Sequence, residues 1–456
     1  MSIGGGGGGG GDVVKPQTRT EQEGGPRQRP RQTTATPLPL DVVLEIAARS
    51  DAPTLIRCAA TCRDMRGRVA GDEAFLRGRL RLRHADDGRF VLPLLRGHLL
   101  QVDDYCDHGI QLVAGSTARL LTAAEGFPPP PPLGRQKLVS SRDGLLLVGT
   151  AAADAPPHRL QWRLRVCDPA TGRSHTLPPE PELPCEDKGA PGRAVSYVLL
   201  VGDRAGAVGR PFQVLKARLV LSKHRRYLRL QTFSPEHGAW GPHTELRTPQ
   251  IHGHRLGDGE LLSPLVAGGA VHWLYLTTTA GYVLKLHAGA GRVSVSALPE
   301  SFPLPESDLY PNWRTRYLLA TAAAAGGSPA VLVADAEKIS AWAQEKRVSG
   351  RWKTQPQVVV TKETIMAYGA RAMPLHLASF AERSGVVLVR INACHYLLLE
   401  LRSMAIVSEL KVSLYPTVDC PYEMDFWRLG FRHLVKPCCS DTFVGFNSWI
   451  THDFVK

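Results

Sequence analysis

The stretch that decides the fold is residues 143–178, DGLLLVGTAAADAPPHRLQWRLRVCDPATGRSHTLP. It opens on a short apolar run after an Asp-Gly pair and later reaches the turn sequence Asp-Pro-Ala-Thr-Gly, which ends at Gly172. Glycine adopts a positive φ without the steric cost that other residues incur, so Gly172 is suited to the end of a tight turn. We therefore predict a β-hairpin whose strands lie at residues 162–167 and 173–177.

Apolar runs like the first one recur along the chain and begin 48 to 72 residues apart. Short β-like runs that alternate with Gly and Pro turns, without helical periodicity, are typical of an all-β domain. The mean spacing of about 60 residues is somewhat above the 40–50 residues of familiar propeller repeats. We predict a β-propeller over residues 97–456, with another β-sandwich or barrel as the alternative. The runs are residues 143–148, 197–202, 269–275, 317–320 and 385–389.

Residues 37–96 have a helical pattern instead. Leu40, Val43, Leu44 and Ala47 recur at the spacing of one helix face, and shorter helical patterns follow. A three-helix unit of this size cannot bury all of its apolar side chains by itself. It therefore needs a further surface, either on a partner protein or on the rest of this chain.

Residues 38–67, LPLDVVLEIAARSDAPTLIRCAATCRDMRG, resemble the F-box of plant F-box proteins, particularly those of grasses. The family often has a tryptophan shortly after the cysteine that corresponds to Cys62, where this chain has Asp64-Met65-Arg66. The β-rich region resembles the kelch-like, propeller-like domain of the same proteins, because DGLLLV, CDPATG and TLPP occur in that order. The resemblance implies a multidomain chain, with a small three-helix F-box followed by an all-β propeller.

The same resemblance implies a function. F-box proteins are substrate-recognition subunits of SCF-type ubiquitin ligases, which dock on a Skp-type adaptor bound to a cullin scaffold and present a target protein. The propeller would then hold a protein substrate, whose identity the sequence does not give. The residues that would contact the adaptor are Leu38, Pro39, Leu40, Val43, Leu44, Ile46, Leu55 and Ile56.

Residues 204–235 carry eight basic and no acidic side chains. The segment around Lys223, Arg225 and Arg226 is predicted to be the tip of a β-hairpin. Such a tip can bind an acidic or phosphorylated segment of a target through charge-assisted hydrogen bonds. We take these three residues as a candidate substrate-binding surface, with a solvated β-turn as the alternative.

The net charge of +13 raises the question of nucleic-acid binding. It divides into +2 for residues 1–36, +3 for residues 37–96 and +8 for the remainder, so it is spread along the chain. Nucleic-acid-binding proteins usually concentrate basic residues on one face. We therefore do not expect a nucleic-acid partner, although a propeller that binds a ligand or nucleic acid without a ligase role is the alternative function.

Several other function classes lack support in the sequence. It contains no nucleophile elbow, phosphate-binding loop or metalloprotease motif, so we predict no enzyme, catalytic residue, cofactor or metal. The sequence has no run of 18 apolar residues, so we predict no membrane span. Nine cysteines in a long chain fit an intracellular protein of the nucleus or cytoplasm. Residues 1–36, with glycines at positions 4–11, are predicted to be a disordered tail.

Overall fold

The protein is seen in a computed structural model that describes one helical segment near the N-terminus and most of the β-rich region. In the described part of the chain, none of the helices is long and apolar enough to cross a membrane. The described residues are 38–49, 64, 94–102, 110–114, 117–121, 135–151, 162–169, 171–181, 195–202, 212–221, 226–253, 256, 262–287, 291–305, 313–322, 327–345, 351–369, 375–412 and 416–424.

The β-rich region is a six-bladed propeller in which each blade is an antiparallel sheet of four or five strands. Blade 1 contains β1 (Leu95–Val102), β2 (Ile110–Ala114), β3 (Thr117–Leu120) and β25 (Pro416–Glu423). Blade 2 contains β4 (Arg135–Arg142), β5 (Leu145–Ala151), β6 (Arg163–Asp168) and β7 (Arg173–Thr176). Blade 3 contains β8 (Ser196–Val201), β9 (Phe212–Leu221), β10 (Arg226–Ser234), β11 (Ala239–Trp240) and β12 (Thr244–Arg247).

The other three blades have the same four-strand order. Blade 4 contains β13 (Leu265–Ala267), β14 (Ala270–Leu276), β15 (Gly281–His287) and β16 (Arg292–Ala297). Blade 5 contains β17 (Tyr317–Thr321), β18 (Pro329–Ala334), β19 (Lys338–Ala343) and β20 (Gln357–Thr361). Blade 6 contains β21 (His376–Ala381), β22 (Val386–Arg390), β23 (His395–Glu400) and β24 (Ala405–Lys411). A 3-10 helix, Trp313–Arg316, precedes β17, and a short helix, α2 (Lys362–Met366), follows β20.

The ring is closed by pairing the two ends of the propeller. The late strand β25 forms an antiparallel ladder with β1, with Leu99 opposite Cys420 and Leu100 opposite Asp419. Blade 1 therefore takes its innermost strand from the end of the propeller and its outer strands from the beginning. The innermost strands β25, β4, β8, β13, β17 and β21 surround a central channel. The alternative of another sandwich or barrel is wrong, because each sheet is a separate blade around this axis.

Apolar side chains fill the space between neighbouring blades. Trp273 and Tyr275 on β14 are almost completely buried between blades 3 and 4, together with Leu228 on β10. Large buried aromatic side chains contribute strongly to such packing, because each removes a large apolar area from water. The faces of adjacent blades therefore hold the ring together, and the edges of the innermost strands remain free to line the channel.

The predicted strand runs are all found, but they do not occupy equivalent places in their blades. Runs 197–202 and 317–320 form the innermost strands β8 and β17, whereas the other three lead into the second strands β5, β14 and β22. This difference explains why the runs recur at irregular distances. The second strands of blades 2 to 6 begin at residues 145, 212, 270, 329 and 386, which are 57 to 67 residues apart.

The turn predicted at residues 168–172 is present, and outer hairpins of two other blades have a turn of the same geometry. Gly172, Gly238 and Gly291 all have a positive φ, of 68°, 63° and 57°. In each case the glycine N–H donates to the carbonyl oxygen four residues earlier, at distances of 2.9, 3.0 and 3.1 Å. The corresponding hairpin of blade 6 has Met404 at φ 53°, a conformation that costs free energy for a residue with a side chain.

The helix α1, Leu40–Arg49, lies where the first helix of the N-terminal module is predicted. Its first turn contains Asp41, whose negative charge is favourable near the positive end of the helix dipole. The predicted tail at residues 1–36 and the later helices of the module lie outside the described residues, apart from Asp64. The first described propeller strand begins at Leu95 and the last ends at Glu423.

Candidate functional site

The residues predicted to contact an adaptor fall into three groups. The exposed fractions of Leu38 and Ile46 are 61% and 55%, and Pro39 is exposed as well. Leu40 and Val43 are half-buried. The remaining predicted contacts are Leu44, which lies in α1, and Leu55 and Ile56, which lie outside the described residues.

Of the residues predicted to bind substrate, the structure describes Arg226. It is the first residue of β10, it pairs with Leu221 of β9, and its side chain is half-buried. Strands β9 and β10 form the predicted hairpin. Lys223 and Arg225 lie between them, outside the described residues, so their part of the prediction stays a prediction.

Two other basic residues of this stretch point into the protein. The Lys216 ammonium group lies 2.6 Å from a carboxylate oxygen of Glu180, which also accepts hydrogen bonds from the Tyr197 hydroxyl at 2.8 and 2.9 Å. The buried Arg229 guanidinium lies 2.6 Å from Glu245. Both carboxylates come from outside residues 204–235. The positive surface of blade 3 is therefore smaller than the sequence alone indicates.

The innermost strands enclose a cavity, which is the central channel itself. It has a volume of about 130 Å³ and is lined by all six innermost strands. A cavity of this size has room for several water molecules or a small polar group, provided that its walls offer hydrogen-bond partners. We therefore take the channel as the candidate functional site.

One end of the channel is crossed by an ion pair. Arg142 at the end of β4 contacts Glu382, which follows β21, and donates a second hydrogen bond to the Val266 carbonyl oxygen at 3.3 Å. The other carboxylate oxygen of Glu382 accepts the Val266 N–H at 2.8 Å. Because these residues belong to blades 2, 4 and 6, the contacts span the axis rather than join neighbouring blades.

A second set of contacts joins blades 1, 2 and 6 at the same end. The Arg383 guanidinium lies 2.5 Å from the Asp143 carboxylate. Glu423, at the end of β25, accepts hydrogen bonds from the backbone N–H groups of Arg383 and Ser384 at 3.1 and 2.7 Å. The Ser384 hydroxyl donates to the same carboxylate at 2.6 Å. We call Arg142, Asp143, Glu382, Arg383 and Glu423 the channel plug.

Burial raises the pKa of Glu382 and of Glu423 in the channel plug, and their hydrogen-bond partners oppose this shift only in part. Burial lowers the pKa of Arg142, but the carboxylates of Glu382, Asp143 and Glu423 outweigh burial and hold that pKa above its usual value. The side chains of Arg142 and Glu382 retain 20% and 23% of their exposed area. The plug thus closes the end of the channel at which the innermost strands finish, and its side chains there are partly exposed.

Sequence reasoning missed the channel plug. Asp143 and Arg383 lie in the tight turns that follow innermost strands, one residue before Gly144 and two residues before Gly385, and both glycines have a positive φ. A charged residue one or two positions before such a glycine, in the turn after a first strand, is the signal that points to this position. The signal is visible only once the first strand of each blade is known.

A further polar group lies along the channel wall, at Asp419 of β25. One of its carboxylate oxygens, Oδ1, is buried and has no hydrogen-bond partner among the described residues. Burial raises the pKa of this carboxyl to about 7, and the nearby Arg390 opposes the shift only in part. No group of three or more His, Cys, Asp or Glu side chains that could hold a metal occurs in the described ranges.

Comparisons with known proteins identify a family. The family profile described as a domain of unknown function, DUF7595, matches residues 134–427. No curated protein matches the sequence.

Several solved structures are similar at low identity. A protein from Lactobacillus plantarum is 13% identical, with a TM-score of 0.37 and coverage of 69% of this chain and 82% of that one. The NanB sialidase from Streptococcus pneumoniae is 8% identical, with a TM-score of 0.34 and 61% coverage of each chain. An α-L-arabinofuranosidase from Fusarium graminearum is 8% identical, with a TM-score of 0.35 and coverage of 71% and 94%. At these scores the similarities carry no argument about activity.

Proposed function

The chain belongs to the DUF7595 family, and we propose that this member is the substrate-recognition subunit of an SCF-type ubiquitin ligase. In this proposal the segment around α1 is part of an F-box that docks on a Skp-type adaptor, and a cullin completes the complex. The propeller holds a target protein whose identity is open. The chain contributes proximity and orientation, which accelerate ubiquitin transfer by other subunits without a catalytic residue of its own.

The observation that carries the proposal is the apolar stripe of the N-terminal segment. Leu38, Val42 and Ile46 are four residues apart, and their exposed fractions are 61%, 42% and 55%. Residues four apart lie on the same side of a helix, so Val42 and Ile46 form one surface that Leu38 extends. An aliphatic side chain gains about 1.5–3 kcal/mol when it is fully buried, so a stripe of three favours a protein partner.

The position of this stripe supports the F-box interpretation. It coincides with the Leu-Pro start of the F-box-like sequence, at Leu38 and Pro39, and precedes a complete propeller. A helical adaptor-binding head followed by a propeller is the domain order that the family resemblance implies. Such a protein works inside the cell, in the nucleus, the cytoplasm or both.

The test is capture of a purified Skp-type adaptor by the full chain. The variant Leu38→Ala/Ile46→Ala should retain at least tenfold less adaptor than the wild type, because it truncates two side chains of the stripe. The matched control is Val358→Ala/Val407→Ala, since these valines on β20 and β24 are exposed to a similar extent, 45% and 43%. The control should capture adaptor like the wild type.

Two results would contradict the proposal. If the wild type captures no adaptor, the proposed ligase role is wrong. If the stripe variant and the control capture the same amount as the wild type, the stripe is not the docking surface.

A further inference from the structure

The seam between blades 6 and 1 contains a carboxyl group in an apolar layer. Asp419 of β25 lies opposite Leu100 of β1, and residues that pair in this way share one face of the sheet. Leu100 belongs to one buried cluster with Leu388 and Tyr396 of blade 6. Burial, and after it the Asp419 carboxylate, raises the pKa of Tyr396, which places that carboxylate close to the cluster. Asp419 therefore faces blade 6 from the strand that closes the ring.

Several polar atoms in the same layer are buried without a hydrogen-bond partner among the described residues. Ser379 belongs to the layer because it lies opposite Leu388, and His98 because it lies two residues before Leu100 on the same face of β1. A buried polar atom without a partner costs free energy, so these atoms weaken the seam. The atoms are Oδ1 of Asp419, the hydroxyl oxygens of Ser379 and Tyr396, and both ring nitrogens of His98.

The protonation state of Asp419 sets the largest of these costs. An ionised carboxylate in a buried place needs donors for its oxygens, and Oδ1 has none in the described part of the chain. The protonated carboxyl carries no charge and has an O–H donor of its own. Burial accordingly raises the pKa of Asp419 to about 7, and the field of Arg390 opposes this shift only in part. The closed seam thus favours the neutral form up to about neutral pH.

Other ionisable groups around β25 leave this argument unchanged. The thiol of Cys420, the next residue, is uncharged near neutral pH, because burial raises its pKa to about 12. His98 is neutral there as well, because burial lowers its pKa to about 4. Arg390 is the charged group whose field shifts the pKa of Asp419. The strands packed against β25 are β1, β4 and β21, and their ionisable residues are Arg96, His98, Arg135, Lys137, Arg142 and His376.

We propose that Asp419 is a proton-controlled latch of the propeller, which holds β25 on β1 when its carboxyl is protonated and releases it more often when the carboxylate is ionised. The released strand brings the charge into water. The closed ring keeps the proton at pH values where the open chain has lost it, so closure weakens as the pH rises from 3.8 to about 7. The latch is a property of the propeller and does not depend on the ligase role.

Release of β25 has a second consequence at the channel plug. Glu423 lies at the end of the same strand and accepts the N–H of Ser384 at 2.7 Å and that of Arg383 at 3.1 Å. When β25 leaves β1, these contacts are lost together with the ladder. The proton on Asp419 therefore controls both the closure of the ring and the contact of blade 1 with the plug.

The experiment is hydrogen exchange of the full chain, measured by mass spectrometry at about pH 5.5 and about pH 8. Peptides from β1 and β25 report opening of the seam, and peptides from β14 and β15 report blade 4 on the opposite side of the ring. The wild type is compared with Asp419→Asn, which stays neutral at every pH, and with Asp419→Val as a second neutral variant. Comparison at the same pH cancels the pH dependence of the exchange chemistry itself.

We expect the opening constant of the seam, taken as the ratio of wild type to Asp419→Asn, to rise about thirtyfold between about pH 5.5 and about pH 8. This factor follows from a pKa of about 7 in the closed ring and about 3.9 in the open chain. The titration of His98 cancels in the ratio, because both proteins contain it. The matched control Glu236→Gln, which changes an exposed carboxylate in the turn before β11, should follow the wild type at both pH values.

The latch is supported if the ratio rises at least tenfold in β1 and β25, the blade 4 peptides do not follow, and Asp419→Val behaves like Asp419→Asn. A ratio that stays constant or falls as the pH rises would overturn it. The same rise in the blade 4 peptides would also overturn it, because Asp419 would then act on the stability of the whole propeller. A pH response of Asp419→Val equal to that of the wild type would assign the effect to another group.

Discussion

His98 should make the propeller sensitive to acid. It lies in β1, opposite Val113 and Pro421, and only 2% of it is exposed. Neither ring nitrogen has a hydrogen-bond partner in the described part of the chain. Burial alone lowers its pKa from 6.5 to about 4, because the charged imidazolium would lie in an apolar layer without compensation.

The sign of the effect follows from proton binding. Between pH 6.5 and about 4 the unfolded chain binds a proton at His98, whereas the folded chain does not. The stability that neutral His98 contributes is therefore complete above pH 6.5 and is lost as the pH falls toward about 4. At ~1.4 kcal/mol per pH unit, the loss between about pH 7.5 and about pH 4.5 is ~2.5 kcal/mol.

The variant His98→Leu removes this titration and keeps a buried side chain of similar size. We expect the difference in unfolding free energy between about pH 7.5 and about pH 4.5 to shrink by ~2.5 kcal/mol relative to the wild type. Urea denaturation followed by the fluorescence of buried residues such as Trp273 and Trp342 measures it. The control His237→Leu changes an exposed histidine in the turn before β11 and should leave the pH dependence unchanged. An equal acid-induced loss in His98→Leu and the wild type would refute the reasoning.

Three further sets of variants test the plug, the turns and the contact between blades 1 and 2. Arg142→Met should lower the unfolding free energy by about 3 kcal/mol, because it leaves Glu382 without its ion-pair partner. The double variant Arg142→Met/Glu382→Met should recover most of this free energy, as measured by chemical denaturation. Met404→Gly should stabilise the protein by about 1 kcal/mol, because φ is 53° there, and Gly172→Ala should destabilise it by a similar amount. A lower melting temperature for Met404→Gly, or a higher one for Gly172→Ala, would contradict the turn assignment. Gln101→Leu should cost about 2 kcal/mol, because its amide donates to a backbone oxygen of β4 at 2.7 Å and accepts a β4 N–H at 2.8 Å; an unchanged denaturation midpoint would exclude this bridge.

The strands and turns of the propeller are largely local properties, and the sequence predicts them well. The turn at Gly172 requires a positive φ, and the alternating runs on either side form β6 and β7 as predicted. The Leu-Pro end after β7 also has a structural reason. Leu177 is buried, and its N–H donates to the Leu164 carbonyl oxygen at 2.9 Å, so the chain stays attached to β6 beyond the end of the strand.

The number of blades is not a local property. The five apolar runs suggest a repeat, but runs 197–202 and 317–320 are innermost strands, whereas the run at 143–148 leads into a second strand. A strand buried on both faces reads as a continuous apolar run wherever it lies in its blade. Hydrophobicity alone therefore cannot distinguish first strands from second strands.

The closing strand gives the weakest signal in the sequence. Residues 416–423, PTVDCPYE, contain two prolines and two acidic residues, which are poor strand formers. They form β25 because β1 offers an unpaired edge at the point where the ring must close. Proline is tolerated at a sheet edge, and β25 is an edge strand, since one of its sides faces the channel rather than another strand.

The basic stretch on blade 3 shows how a spatial contact changes a sequence argument. Residues 204–235 have no acidic member, yet Lys216 and Arg229 are neutralised by Glu180 and Glu245, which the fold brings in from both sides of the stretch. A run of like charges in the sequence is therefore not the same as a charged surface. The prediction that an acidic target binds here rests on Arg226 and on its two neighbours outside the described residues.

The strand that sequence reasoning identifies least well carries both features of the channel. Glu423 connects β25 to the plug, and Asp419 of the same strand lines the channel wall. Both arrangements exist only when β25 pairs with β1 and the ring is closed. A ligand that binds this wall therefore binds the closed ring and not the open chain, and mass action requires that such a ligand stabilise closure. Ring closure and binding at the channel wall are thus coupled through a single strand.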